Sequence, residues 1–206
     1  MAEGNQDQIL EQIEQHRRAI ADLEARLAPA PHAEWHPGDF YTTFYIVVGM
    51  ILGIIGGLTS FMFNFVGSAL MAQSPMQFLR VLGTYFNGPE ALTTTDFAFL
   101  MMVLLTHLSV GAVAGAVYHV WVNRYLPEGP LSKVLGSSAL FGVGLWLVTF
   151  YGIISWTQPM LWGQAYVLDE MPFWVALLTH LVYGLTLGLL QPLGKFVPYR
   201  PATGHH

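Results

Sequence analysis

Two histidines stand where this chain could do chemistry. His107 and His180 each lie in a Leu-Leu-Thr-His-Leu run, with glycines four and eight residues on: Gly111 and Gly115 after the first, Gly184 and Gly188 after the second. The apolar stretches around them contain no Asp, Glu, Lys or Arg. Each imidazole is about 8–10 residues into its stretch, roughly 12–15 Å deep at helical rise. Burying its nitrogens without partners is costly, so an ionisable ring at that depth is a functional candidate. Three uses fit. A neutral imidazole can bond a Thr, a Tyr or a backbone carbonyl on a neighbouring helix and tie a bundle together. Two imidazoles can ligate one b-type haem from opposite sides, with small residues admitting the porphyrin. The pair can also hydrogen-bond, or pass a proton to, a quinone, a carotenoid-like apolar ligand or a partner subunit. The residues leave all three open.

Other chemistries are poorly served. Without cysteine there is no disulfide, thiolate-ligated cluster, covalent haem or thiol nucleophile. No nucleophile stands beside a base and a carboxylate, and Glu90, Asp96, Asp169 and Glu170 show no metal-ligand spacing with His. The expectation is a protein that is not an enzyme. No basic stripe interleaved with aromatics suggests nucleic acid. A carrier would favour midplane carboxylates or broken helices. Here Ser60, Asn64 and Thr149 are only mildly polar and suit helix–helix bonds, although a facilitator for a small neutral solute remains an alternative.

The elements that must hold the histidines follow from composition. Of 206 residues, 53% are hydrophobic and 10% charged, against about 25% charged in a soluble domain. More than half of the charged residues lie between Glu3 and Asp39. Residues 1–28 read as an amphipathic helix whose Ile9, Ile13, His16, Ile20, Leu23 and Leu27 form a coiled-coil-like seam. Residues 29–41, with Pro29, Pro31 and Pro37, read as a linker, its Trp35, Phe40 and Tyr41 suiting the headgroup layer. A transmembrane domain over 42–196 and a polar tail over 197–206 follow; Gly204-His205-His206 is given no role.

Within that domain, apolar stretches at about Thr42–Met71, Phe97–Val122, Leu135–Trp156 and Pro172–Leu193 can each cross a hydrocarbon core that needs about 20 helical residues. The fold class is an all-α membrane protein with four transmembrane helices. Between the first two spans, Phe78, Leu79, Leu82, Tyr85 and Phe86 share a face away from Gln77, Arg80 and Thr84, predicting a short helix flat in the interface and stopped by Asn87-Gly88-Pro89. Trp156, Trp162, Tyr166 and Trp174 read as an aromatic belt. His119, 12 residues beyond His107, falls about 120° around the helix and reads as a snorkelling interfacial residue.

The spans form a duplication. Besides the His-x3-Gly-x3-Gly runs, Gln73-Ser-Pro75-Met76 echoes Thr157-Gln-Pro159-Met160, predicting an outer Pro-Met turn in each half. Gly49, Gly53, Gly56 and Gly57 in the first span are matched by Gly136, Gly142 and Gly144 in the third. Two spans per repeat keep direction, so the halves are parallel two-helix repeats. Glycines four apart let helices approach closely, or make room for a flat cofactor. Arg17, Arg18, Arg26, Arg124, Lys133, Lys195 and Arg200 fall on one side of such a bundle and Arg80 on the other. Both termini are therefore expected in the cytoplasm, in a cell (inner) membrane, with loops 72–96 and 157–171 outside.

The motif His-Leu-x-x-Gly-x-x-x-Gly, at His180, Leu181, Gly184 and Gly188 and again at His107, Leu108, Gly111 and Gly115, resembles that of uncharacterised prokaryotic four-helix membrane proteins, the YagU-like inner-membrane group. The resemblance covers the hydrophobic two-thirds of the chain; the N-terminal heptad helix departs from it. It brings no catalytic residues, and it implies accessory roles near respiratory oxidases. Together these readings point to a noncatalytic subunit of a larger membrane assembly, of the electron-transport kind, with the lipid bilayer and other membrane subunits as partners. A bis-His haem b carrier is the first alternative.

Overall fold

The computed structural model describes the backbone of residues 2–27, 41–126 and 130–196, with side chains for all of these except 2–10, 25 and 27. Residues 29–40 of the linker expected over 29–41, the tail over 197–206 and the seam side chains of Ile9 and Leu27 lie outside the described residues. The chain divides into two units at Phe40 and Tyr41.

The first unit is one helix, α1 (Ala2–Leu27). Its polar face carries the i,i+4 pairs Glu14–Arg18 and Asp22–Arg26, at 3.5 and 2.9 Å. On its seam, Ile13, Ile20 and Leu23 are all exposed.

Among the described residues, the second unit holds four helices long and apolar enough to cross a membrane: Thr42–Leu70, Phe97–Tyr125, Leu131–Trp162 and Phe173–Gly194. The first two are α2 (Thr42–Leu70) and α4 (Phe97–Tyr125), with α3 (Gln77–Asn87) between them. The third runs as α5 (Leu131–Trp146), a π-helical stretch Leu147–Ile154, and α6 (Ser155–Trp162). After the short α7 (Tyr166–Glu170), α8 (Phe173–Leu190) ends in a 3-10 turn, Gln191–Gly194. The first three spans exceed the ~20 residues a bilayer requires, which tilt accommodates.

The helices pair as the duplication requires. α2 lies along α4, α5 along α8, and the two pairs join through α2 and α8, while α4 and α5 barely meet. Glycine decides both close pairings. A Cβ on Gly53 would strike the backbone of Gly111, and one on Gly115 would strike Gly49 and Gly53. In the second pair, a Cβ on Gly142 would strike the His180 carbonyl, and one on Gly184 would strike that of Ser138. Gly136 and Gly144 have open space around them, so Gly142 alone of the expected third-span glycines sits at the seam.

Three details differ from the sequence expectations. The third span is longer than Leu135–Trp156, and Pro159 lies inside α6 rather than in a turn. The chain turns at Gly163, whose φ of 75° is the left-handed cap that glycine adopts freely. Only the first half has its Pro at a turn, where Gln77 N–H closes on Ser74 O at 2.8 Å. α3 turns its apolar face to protein. It packs on α2, α4 and α7, so Phe78, Leu79 and Val81 join a core with Phe61, Val103, Phe150 and Val167. Thr84, expected on the polar side, is fully buried, and Phe86 is exposed. A second core, around Leu52, Tyr118, Val122, Tyr183 and Leu187, fills the other end of the bundle.

Candidate functional site

Each half fixes its histidine from a helix start. Asp96 caps α4, its Oδ1 accepting from Ala98 N–H and Phe99 N–H at 2.9 and 3.3 Å, which satisfies two otherwise unpaired donors. Pro172 opens α8, its carbonyl accepting from Val175 and Ala176 at 2.9 and 3.2 Å. His107 and His180 follow within three turns.

The rings are held by the partner helix of their own hairpin. Ser60 and Thr149 stand seven residues after Gly53 and Gly142, and a Phe follows each. Nε2 of His107 lies 3.3 Å from Ser60 Oγ and 3.2 Å from Gly57 O. Nε2 of His180 lies 3.3 Å from Thr149 Oγ1, and its Nδ1 lies 2.8 Å from Ala176 O. A phenyl ring meets each imidazole edge-on at 86°: Phe78 at 5.2 Å from His107, Phe150 at 5.6 Å from His180.

Those contacts assign the tautomers. A carbonyl only accepts, so the nitrogen facing it carries the hydrogen of a neutral ring. His107 is thus the Nε2–H form, and His180 the Nδ1–H form. Ser60 hydroxyl donates to Gly57 O at 3.0 Å, which leaves its oxygen free to accept from His107. Thr149 hydroxyl has one hydrogen and three acceptors in view, Leu145 O at 2.7 Å and Trp146 O and His180 Nε2 each at 3.3 Å.

Both histidines line one cavity of about 70 Å³ between α2, α3, α4, the π-helical stretch and α8. It adjoins a wider one of about 280 Å³ that shares His107, Val110, Thr149, Phe150 and His180 in its wall. Val110, Phe86 and Ile153, all exposed, stand at its mouth between α4 and the π-helical stretch. Tyr183 closes the opposite side, its hydroxyl donating to Gly111 O at 2.6 Å. Its counterpart three residues after His107 is Val110, and that difference between the repeats leaves the cleft open on one side.

Haem does not fit these residues as placed. The glycines meant to admit a porphyrin, Gly111, Gly115, Gly184 and Gly188, are each closed by the facing helix. The Nε2–H of His107 is committed to Gly57 and Ser60, and the space between the rings is a fraction of a macrocycle. Among the described residues, no group of three or more His, Asp or Glu could hold a metal ion.

His119 does not snorkel. Its ring is buried, and Nε2–H donates to Gly194 O at 3.0 Å. The Gln191–Gly194 turn folds back over α4 and covers it. Asn123 donates to His119 O at 2.8 Å and accepts from Gln191 at 3.2 Å.

Several polar anchors escaped the sequence reading. Gln158, fully buried, donates to Thr84 Oγ1 at 3.1 Å and accepts from Val167 N–H at 3.0 Å, joining α6, α3 and α7. Asn64, suited by its polarity to a helix–helix bond, finds its partner in Thr179, donating to Oγ1 at 2.9 Å and joining α2 to α8. Trp162, placed in the belt, also donates to Tyr85 O at 3.0 Å. No family model matches the chain, and neither a curated protein nor a solved structure does.

Proposed function

We propose that this protein is a noncatalytic integral subunit of a larger membrane assembly of the electron-transport class, respiratory or photosynthetic. One observation carries the reading. α1 is no membrane span, yet Ile13, Ile20 and Leu23 form a row along it that is 46–56% exposed, while the ion pairs occupy other faces. Apolar residues at heptad spacing are the surface on which a second helix docks. The histidines serve the scaffold: His107 ties the two helices of its hairpin through Gly57 and Ser60, and His180 packs its ring edge-on to Phe150 of the facing helix. The distribution of Lys and Arg supports cytoplasmic termini in a cell (inner) membrane, and the paired His-Leu-x-x-Gly-x-x-x-Gly motifs support kinship with the YagU-like group.

Extraction from native membranes in mild detergent tests this. The protein should co-migrate with redox-active membrane subunits, and removal of residues 1–28 should release them while the four-helix unit still inserts. Full-length protein recovered only as a free monomer would refute it.

A further inference from the structure

The cleft between α4 and the π-helical stretch has a hydrogen-bonding character that scaffolding alone leaves unused. Of the four imidazole nitrogens, two carry hydrogens already given to Gly57 with Ser60 and to Ala176. The other two are lone pairs. Nδ1 of His107 has no hydrogen-bond partner among the described residues, only Nε2 being engaged, and His107 lines both cavities. Nε2 of His180 faces Thr149, whose single hydrogen lies closer to Leu145 O, at 2.7 against 3.3 Å. The cleft thus presents two acceptors with no committed donor, one from each repeat.

The remaining walls narrow the ligand. No Asp, Glu, Lys or Arg lines either cavity, so a charged headgroup has no counter-ion there and its desolvation would go uncompensated. Phe78 and Phe150 stand edge-on to the two imidazoles, walls that suit a flat aromatic ring. The mouth is apolar and faces the hydrocarbon, where a tail can remain. The π-helical stretch supplies Thr149, Phe150 and Ile153 to one side, and such stretches recur at binding sites.

We propose that this cleft binds a lipid-soluble hydroquinone, one hydroxyl donating to His107 Nδ1 and the other to His180 Nε2, with Thr149 keeping its bond to Leu145. The two polar ends of one six-membered ring match two acceptors in one cavity; a membrane lipid with a single hydroxyl matches only one. The oxidised quinone brings two carbonyl oxygens against two lone pairs and is disfavoured. The site is a binding site for the reduced form, and no electron transfer is assigned to it. It is independent of the partner reading, since binding is measured on the isolated chain.

The test uses the full-length protein in zwitterionic-lipid nanodiscs, titrated anaerobically with a decyl-substituted benzoquinol and separately with its quinone. Imidazole nitrogen shifts are followed by NMR on 15N-histidine protein. The quinol should bind about tenfold or more tightly than the quinone, the equivalent of one to two hydrogen bonds, and should move the His107 Nδ1 and His180 Nε2 resonances. Val110→Trp, which fills the mouth without removing a hydrogen bond, should abolish binding and leave the unfolding temperature unchanged. His107→Phe should cut quinol affinity about tenfold while sparing the weak quinone binding. Quinone binding as tight as quinol, displacement by a monohydroxy sterol at equal affinity, or unmoved resonances would each overturn the proposal.

Discussion

Gly188→Ala offers a measurement in which the two repeats should behave differently. A Cβ on Gly188 would collide with Ser138 Oγ and come within 2.8 Å of Ser138 Cβ, with Leu135 Cδ2 next at an ordinary 3.4 Å. Alanine in place of glycine gains about 1 kcal/mol of helix propensity, but forcing a methyl into a packed seam costs about 1–3 kcal/mol. Because the rigid Ser138 Cβ as well as its Oγ must give way, the cost falls in the upper half of that range, about 2–3 kcal/mol, and the net is a loss of about 1–2 kcal/mol, or about 2–8 °C in unfolding temperature for a chain of this size. The obstacle is one small side chain. Ser138→Gly, which alone costs a few tenths of a kcal/mol in propensity, should therefore restore the Gly188→Ala protein nearly to wild type. In the first repeat no such rescue exists. A Cβ on Gly115 meets Gly53 N at 2.8 Å and other backbone atoms of Gly49 and Gly53, and a glycine has nothing left to trim. Thermal unfolding in detergent of the three second-repeat variants, beside Gly115→Ala and the open-space control Gly144→Ala, completes a double-mutant cycle. If Gly188→Ala is as stable as wild type, or Ser138→Gly fails to rescue it, the seam is not closed by these atoms.

Three further outcomes follow from the buried polar contacts. Asn64→Leu should cost about 1–3 kcal/mol by leaving an inter-helix bond unmade, and adding Thr179→Val should recover part of it, read by thermal unfolding. Gln158→Leu removes the acceptor for Val167 N–H, so hydrogen exchange over Tyr166–Glu170 should accelerate while exchange within α2 and α4 stays unchanged. Tyr183→Phe removes only the hydroxyl bonded to Gly111 O and should lower stability by about 1 kcal/mol.

The spans and their pairing were legible because lipid makes a simple demand: charge-free stretches of sufficient length, and glycines wherever two backbones meet. His107 and His180 were legible for the same reason. Their partners were within reach too, since counting seven residues on from Gly53 and Gly142 lands on Ser60 and Thr149. What hid the rest was dependence on distant segments. Thr84 belongs on a polar face until Gln158, 74 residues away, gives it a buried partner. His119 belongs at the interface until the Gln191–Gly194 turn covers it. Pro159 reads as a turn until the left-handed glycine four residues later takes that role. Periodicity describes one helix at a time, and each of these outcomes is decided between helices.

The first and last spans also end as neighbours. Tyr41 and Phe196 bring their rings to 4.8 Å, and Phe44 packs on Phe196 at 5.2 Å. A short peptide could join those positions while the chain is cut in the connection between Leu126 and Pro130, leaving each hairpin whole. Such a rearranged gene would encode the hairpins in reverse order with every seam intact. That is the equivalence expected if one hairpin was copied end to end, with packing indifferent to the order of the halves.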